Sequence, residues 1–383
     1  MRVVVGLSGG VDSSVAAHLL LEQGHEVIGL YMRNWVDESV TINNACPWVD
    51  DANDAMLVAA HLGIPFQVID LSEAYRERIV EYMFAEYKAG RTPNPDILCN
   101  REIKFDLFRE AAMQLDADVV ATGHYCRKMT DEAGVHHLMA GRDSNKDQSY
   151  FLCQVQQEQL ADVIFPLGEL EKPNVRKIAL EAGLPNATKK DSQGLCFVGK
   201  VKLPIFLQQR LEVEKGAIVE IPAAAVHDDG DEILEPHTLH AADGAVVGEH
   251  PGAHFFTIGQ RRGLHVGGKA EPLFVIGKDM ASNTLFVGEG DQHPGLWRSG
   301  LAIASNEMHW IGPDAAPEMG APLKVLTRIR YRQPLFGATL TQHPSHWSLA
   351  FDAPQSGVAA GQFAAIYDAQ TGEEVLGSGV INA

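Results

Sequence analysis

The sequence predicts an α/β protein: a doubly wound parallel sheet followed by two small all-β modules, the last a β-barrel. Three observations predict it. Apolar strand-like runs alternate with amphipathic helical stretches up to about Arg210, the pattern of repeated β-α-β units. Beyond Arg210 the helical periodicity fades while Gly and Pro rise. Short β-type runs separated by turn residues then recur to the end of the chain.

In order, the first part reads as strand Arg2–Leu7, helix Asp12–Gln23, strand His25–Met32, helix Asp51–Leu62, strand Pro65–Leu71, helix Ser72–Ala89, helix Glu102–Leu115, strand Asp118–Thr122 and helix Pro173–Ala182. Strands are then expected at Gly216–Ile221, Phe255–Ile258, Pro272–Ile276 and Thr284–Val287. The last set comprises Leu301–Ala304, Leu323–Ile329, Ala338–Leu340, Trp347–Phe351, Phe363–Tyr367 and Glu374–Ile381. Three domains follow, at 1–210, 211–295 and 296–383, with an acidic, solvated insertion near 222–240 in the second.

Forty-five per cent hydrophobic and 21% charged residues describe a globular chain able to bury a sizeable core. No run of 18 apolar residues occurs and the N-terminus passes straight into a strand, so the expectation is a cytoplasmic protein without a membrane segment. The five cysteines (46, 99, 126, 153, 196) contain no C-x-x-C pair, which argues against a zinc site or a secreted disulfide framework. A net charge of −19 argues against nucleic acid as a partner, but eight acids fall between Gly216 and Gln260 with no Lys or Arg among them. Basic residues gather elsewhere, at Lys189-Lys190, Arg261-Arg262 and Arg328/Arg330/Arg332, and binding depends on such local patches.

The chemistry begins at Gly6-Leu7-Ser8-Gly9-Gly10-Val11-Asp12-Ser13, where a buried strand meets a helix. Glycines let backbone N–H groups close around phosphate oxygens, hydroxyls add donors, and the helix dipole favours the anion. The loop is neither a Walker A loop, lacking Gly-Lys-Ser/Thr, nor a G-x-G-x-x-G dinucleotide loop. Asp96 and Cys99 lie three apart after the stiff Pro93-Asn94-Pro95; a helix starting near Asp96 would put both on one face and favour a thiolate. Read alone, Cys99 is equally a buried core thiol and Asn94 or Asp96 a helix cap. Cys196 sits among glycines (Gly194, Gly199), an accessible setting for sulfur chemistry; read alone, it is also a buried thiol in a short strand, Leu195–Val198.

Ser-Gly-Gly-Val-Asp-Ser at 8–13 resembles the pyrophosphate-binding PP-loop of ATP pyrophosphatases. Five further motifs appear in order: 90–100 (Gly-Arg-Thr-Pro-Asn-Pro-Asp-Ile-Leu-Cys-Asn), 121–125 (Ala-Thr-Gly-His-Tyr), 143–152, 194–197 (Gly-Leu-Cys-Phe) and 257–264. With Arg-Tyr-Arg-Gln at 330–333, the chain resembles the bacterial tRNA-specific 2-thiouridylases almost from end to end.

The resemblance implies an adenine nucleotide alpha hydrolase-like fold and a sulfurtransferase that thiolates the wobble uridine of tRNA, using ATP with Mg²⁺ carried by the nucleotide. It implies ATP binding by Gly6, Leu7, Ser8, Gly9, Gly10, Val11, Asp12, Ser13, Met32 and Gly123. Asn94, Pro95 and Asp96 would surround the target base, with Asp96 as general acid/base, Cys99 as nucleophile and Cys196 as persulfide carrier. His124, Lys146, Asp147, Gln148, Arg330, Tyr331 and Gln362 would contact tRNA, with Glu, Gln and Lys acceptors expected. A sulfur carrier protein would donate the persulfide, and a Cys99–Cys196 disulfide would form during turnover. Two rivals are a PP-loop ligase acting on a small molecule and a non-catalytic, nucleotide-dependent RNA-binding protein.

Overall fold

The computed structural model describes residues 1–34, 47–191, 203–226 and 234–382. The chain opens with β1 (Arg2–Gly6), α1 (Val11–Glu22), β2 (Glu26–Arg33), α2 (Pro47–Leu62) and β3 (Phe66–Asp70). A helical run follows as α3 (Ser72–Tyr75), a π-helical stretch (Arg76–Val80) and α4 (Glu81–Lys88). A second run joins α5 (Pro95–Cys99), a π-helical stretch (Asn100–Leu107) and α6 (Phe108–Met113). Then come β4 (Val119–Ala121), a hairpin of β5 (Cys126–Thr130) and β6 (His136–Ala140), α7 (Gln157–Ala161), β7 (Val163–Ile164), α8 (Lys172–Glu181) and α9 (Leu203–Leu207).

The first sheet has the order β3-β2-β1-β4-β7, with every pairing parallel. Val3, Val4 and Val5 are buried on both faces of β1, as the uninterrupted valine run requires of a central parallel strand. On one face α1 packs Val11, Val15 and Ala16 against Val175 and Ala179 of α8. The chain moves outward one way through β2 and β3 and the other way through β4 and β7. That reversal leaves a crevice at the carboxyl ends of β1 and β4, the place where open α/β sheets bind ligands.

The second module is a four-stranded sheet of β8 (Gly216–Glu220), β9 (Ala245–His250), β10 (Leu273–Asp279) and β11 (Thr284–Glu289), in the order β10-β11-β8-β9. The third comprises β12 (Trp297–Ala304), β13 (Met308–Trp310), β14 (Leu323–Arg328), β15 (Phe336–Gln342), β16 (His346–Ser356), β17 (Phe363–Asp368) and β18 (Glu374–Val380). Leu301, Ile303, Val325, Leu340, Leu349 and Ile366 fill its interior, and a bridge between Ala302 and Asn382 returns the chain end to its first strand.

Three differences from the sequence reading are informative. Phe255–Ile258 is no strand: Ala253–Phe255 is a 3-10 turn between the positive-φ glycines Gly252 and Gly259, and its amides are taken by turn bonds. The helix expected from Glu102 starts at Pro95, because proline at the first position presets φ and lacks an N–H that would go unpaired. The hairpin β5–β6 leaves the first module to pair with β18, Leu138 opposite Val375, so the last sheet has nine strands. Of the acidic insertion, 227–233 lies outside the described residues, and His237 bonds the Trp297 carbonyl at 2.9 Å. Among the described residues no helix is long and apolar enough to cross a membrane.

Candidate active site

The loop after β1 is held open from within. The Ser8 amide donates to Ser13 Oγ at 3.2 Å, while the Ser13 and Ser14 hydroxyls donate to the Gly10 carbonyl at 3.1 and 2.9 Å. Gly10 precedes α1 and no side chain caps the helix, which leaves its first amides available to an anion. Gly9 has φ +74°, and a Cβ there would sit 2.2 Å from the Asp51 carbonyl oxygen. Gly123, after β4, comes so close that its Cβ would lie 2.7 Å from the Ser13 nitrogen. Both positions require glycine for backbone to approach backbone. Met32 is 4% exposed near the carboxyl end of β2.

This cradle fits ATP. Asn34, 1% exposed just beyond β2, has neither amide atom paired among the described residues, and a buried unpaired amide marks a place for a polar ligand. Among the described residues no group of three His, Cys, Asp or Glu could hold a metal by itself. Asp12 is the carboxylate in the loop, so Mg²⁺ arriving with the nucleotide would find its protein ligand there and would neutralise phosphate charge.

Several charged groups around the loop carry no sequence signal of their own. Lys172 Nζ lies 2.6 Å from Asp12 Oδ1 and 2.9 Å from Asp191 Oδ1, and the Tyr125 hydroxyl donates to Asp12 at 2.8 Å. Asp191 also pairs with Lys146 and with Arg176. Burial opposes its charge, but the bonds from Lys146 and Lys172 outweigh it and hold the carboxyl down at about 2. Lys189 joins the Gly9 carbonyl (3.2 Å) to Asp51 (2.7 Å) and Asp54 (2.5 Å). Each partnership spans more than 40 residues except that of Arg176 with Asp191 and of Lys172 with Asp191, so only the fold reveals them.

Asn94 precedes α5, Asp96 lies in its first turn and is half-buried, and Cys99 is fully buried at its end. Asp96 and Cys99 thus share a helix face near an N-terminus. The segment leading into it is clamped by both β modules. From the second, Lys278 donates to the Gly90 carbonyl and Thr257 bonds Thr92 at 3.1 Å. From the third, the Ala360 carbonyl accepts from the Thr92 amide at 2.8 Å, and Gln362 donates to the Thr92 and Pro93 carbonyls at 2.8 and 3.3 Å. Cys196 lies outside the described residues. Cys126 and Cys153 are buried thiols whose pKa values burial pushes up, that of Cys153 to about 12.

The residues expected at tRNA have internal partners. His124 is 8% exposed, bonded to Thr122 at 2.8 Å and packed on Phe105 and Phe165; burial, with Lys104 nearby, keeps its imidazole neutral. Asp147 is buried against Ser149 and pairs with Arg328 at 3.1 Å. Gln148 accepts from the Tyr125 amide, and Tyr331 lies on Phe151 with ring centres 4.3 Å apart. Arg330 donates to the Ile258 and Gly357 carbonyls at 2.9 and 2.6 Å, joining the two β modules. Lys146, Arg330 and Gln362 therefore hold parts of the protein together as the structure stands.

A phosphate cradle at the switch point of a parallel sheet, with two β modules gripping a proline-led cysteine helix, defines a nucleotide-dependent enzyme of the PP-loop class. Family models agree: residues 1–200 match the tRNA methyl transferase HUP domain, 232–289 the tRNA methyl transferase PRC-barrel domain, and 301–381 the aminomethyltransferase beta-barrel domain. The tRNA-specific 2-thiouridylase MnmA of Christiangramia forsetii is 57% identical over the whole of both chains, and that of Flavobacterium johnsoniae 55%. The Stutzerimonas stutzeri relative of the same name is 45% identical over 99% of this chain and 94% of its own. The methyl transferase labels of the family models and the thiouridylase names differ, and the full-length identity decides between them. The chain belongs to the bacterial tRNA-specific 2-thiouridylase family.

Proposed function

We propose that Cys99, Cys196 and Asp96 carry sulfur onto a base that the loop Gly6–Ser13 has prepared with ATP. The enzyme is an ATP-dependent tRNA-uridine 2-sulfurtransferase, converting the wobble uridine to 2-thiouridine with release of AMP and pyrophosphate. Oxide is a poor leaving group from C2 of uridine. Attack of that oxygen on the α-phosphorus of ATP expels pyrophosphate and turns the oxygen into one that leaves with AMP. The amides of Gly9–Ser13 stabilise the charge developing on the phosphates, and Lys172, beside Asp12, is placed to follow it.

In our reading Asn94, Pro95 and Asp96 receive the uracil, turned out of its stack. Asp96 accepts or returns the proton, and Cys196 brings a persulfide from a sulfur carrier protein. Either the terminal sulfur attacks C2 and Cys99 then resolves the link, or Cys99 first attacks the inner sulfur and frees hydrosulfide as the nucleophile. Both routes leave a Cys99–Cys196 disulfide and need an external thiol to reduce it.

The observation that carries this reading is the clamp on residues 90–93: both β modules bear on the segment that leads to Cys99. A PP-loop ligase for a small molecule needs no such modules. We assign tRNAs for Glu, Gln and Lys as acceptors, and a pyrophosphate-release assay tests the assignment. Pyrophosphate release should require an unmodified tRNA of this set and vanish when the wobble uridine is replaced by cytidine. Equal release without tRNA, or with a small amide-forming acceptor, contradicts the assignment.

A further inference from the structure

A cavity of about 540 Å³ lies where the three modules meet, away from the PP-loop. Its walls include Gly90 and Thr92 of the clamped segment, Lys278 on β10, Arg298 on β12, and Leu239 and Phe286 among its apolar side chains. Two of its cations, the buried Arg298 and the half-buried Lys278, make no ion pair with any described carboxylate. Among the described residues Lys278 donates only to carbonyls, those of Gly90 and Phe256, the latter at 2.9 Å. Arg298, 8% exposed, donates from one Nη to the Leu234 carbonyl and leaves Nε unpaired. Of the other charged residues on the wall, Arg91 is spent on Glu86, and Asp279 is tied into its own turn by Ala281 and Ser282.

Withdrawing a cation from water with no carboxylate in contact is unfavourable; Glu235 acts on Arg298 from a distance without forming an ion pair, and an apolar side chain in either place would relieve the cost. Desolvation is felt by both groups, which are drawn down to about 8 (Lys278) and about 10 (Arg298). An anion completes the arrangement. The size exceeds what a lone ion needs, and apolar walls beside a pair of donors match a sugar-phosphate or nucleotide.

We propose that this cavity is a second phosphate site, distinct from the ATP loop, whose occupancy steadies residues 90–92 and through them the cysteine helix. The phosphate comes from the tRNA backbone or from a free nucleotide or orthophosphate, so this inference extends the tRNA reading above. Its test separates the sources. Full-length Arg298→Met and Lys278→Met proteins, and Leu239→Trp, which fills the cavity and leaves both cations, are compared with wild type. Filter binding of tRNA is measured across a salt series, and orthophosphate and AMP binding by calorimetry.

If the backbone of tRNA is the source, each variant binds tRNA about tenfold more weakly and each cation variant has a salt slope lower by about one, with ATP binding intact. If a free phosphate is the source, wild type binds orthophosphate or AMP at a site that the variants lose, while tRNA binding is unchanged. Unaltered binding of tRNA, orthophosphate and AMP in Leu239→Trp and in a folded cation variant overturns the proposal. Failure of wild-type protein to thiolate tRNA would instead count against the functional reading, and the binding experiments do not depend on it.

Discussion

Gln362 donates to the carbonyl of Thr92 at 2.8 Å, across 270 positions of sequence. The amide side chain comes from the residue just before β17 and the carbonyl from the turn before α5, so the last module sets the approach of the helix that holds Cys99. Gly361 beside it has φ +85°, and a Cβ there would stand 3.0 Å from the Thr92 backbone. The proximity is therefore backbone to backbone, with Gln362 fixing it.

Gln362→Ala removes a donor from two carbonyls and should lower stability by about 1 kcal/mol. Thiolation should fall several-fold through kcat, because the helix loses its register while the ATP loop is untouched. Steady-state kinetics with saturating ATP check this. A rise in KM for tRNA at constant kcat would instead make Gln362 a direct RNA contact.

Gly123→Ala puts a methyl group 2.7 Å from the Ser13 nitrogen. That nitrogen and the Asp12 carbonyl carbon at 2.9 Å are backbone, not flexible side-chain ends, so the loop must move. ATP affinity should drop at least tenfold, about 1.4 kcal/mol, with the melting temperature little changed. Calorimetric titration with a non-hydrolysable ATP analogue measures it, and wild-type affinity would dissociate Gly123 from the nucleotide site.

Lys172→Met removes the ammonium beside Asp12, which keeps the Tyr125 hydroxyl, and one of the cations on Asp191. The expected outcome is a fall of tRNA-dependent pyrophosphate release by at least tenfold, about 1.4 kcal/mol in the barrier. Wild-type release in this variant would confine the lysine to a structural role.

Burial draws Lys278 from the ordinary lysine value of 10.5 down to about 8. Between those values the unfolded chain binds more protons than the folded one, so stability rises with pH across this window. Below pH 8 the folded state bears the buried charge; above it the cost fades. In phosphate-free buffer, the unfolding free energy of wild type minus that of Lys278→Met should increase from about pH 8 to about pH 10, by at most roughly 3 kcal/mol. Urea titrations at both ends of the range show whether it does; a flat or falling difference means the ammonium is solvated.

The parts of the site legible in sequence are those whose geometry is local. Gly9 and Gly10 after a valine strand announce an anion loop, and Pro95 announces the start of the cysteine helix one residue before Asp96. The rest is made of long-range partnerships. Lys172, Lys189 and Asp191 look like ordinary surface charges until α8 is laid on α1. His124 stands at a strand end, where sequence favours function, yet Phe105 and Phe165 close over it. The hairpin β5–β6 was not legible because its partner strand, β18, lies at the other end of the chain.

The central claim is that two cysteines turn adenylation into thiolation, and one measurement addresses it most directly. Wild-type, Cys99→Ser and Cys196→Ser proteins are incubated with ATP, Mg²⁺, a persulfide donor and unmodified tRNA, and the digested RNA is analysed for 2-thiouridine. The account predicts 2-thiouridine with wild type and none with either variant, while both variants still bind ATP. Thiolation at the wild-type rate by either serine variant would contradict it.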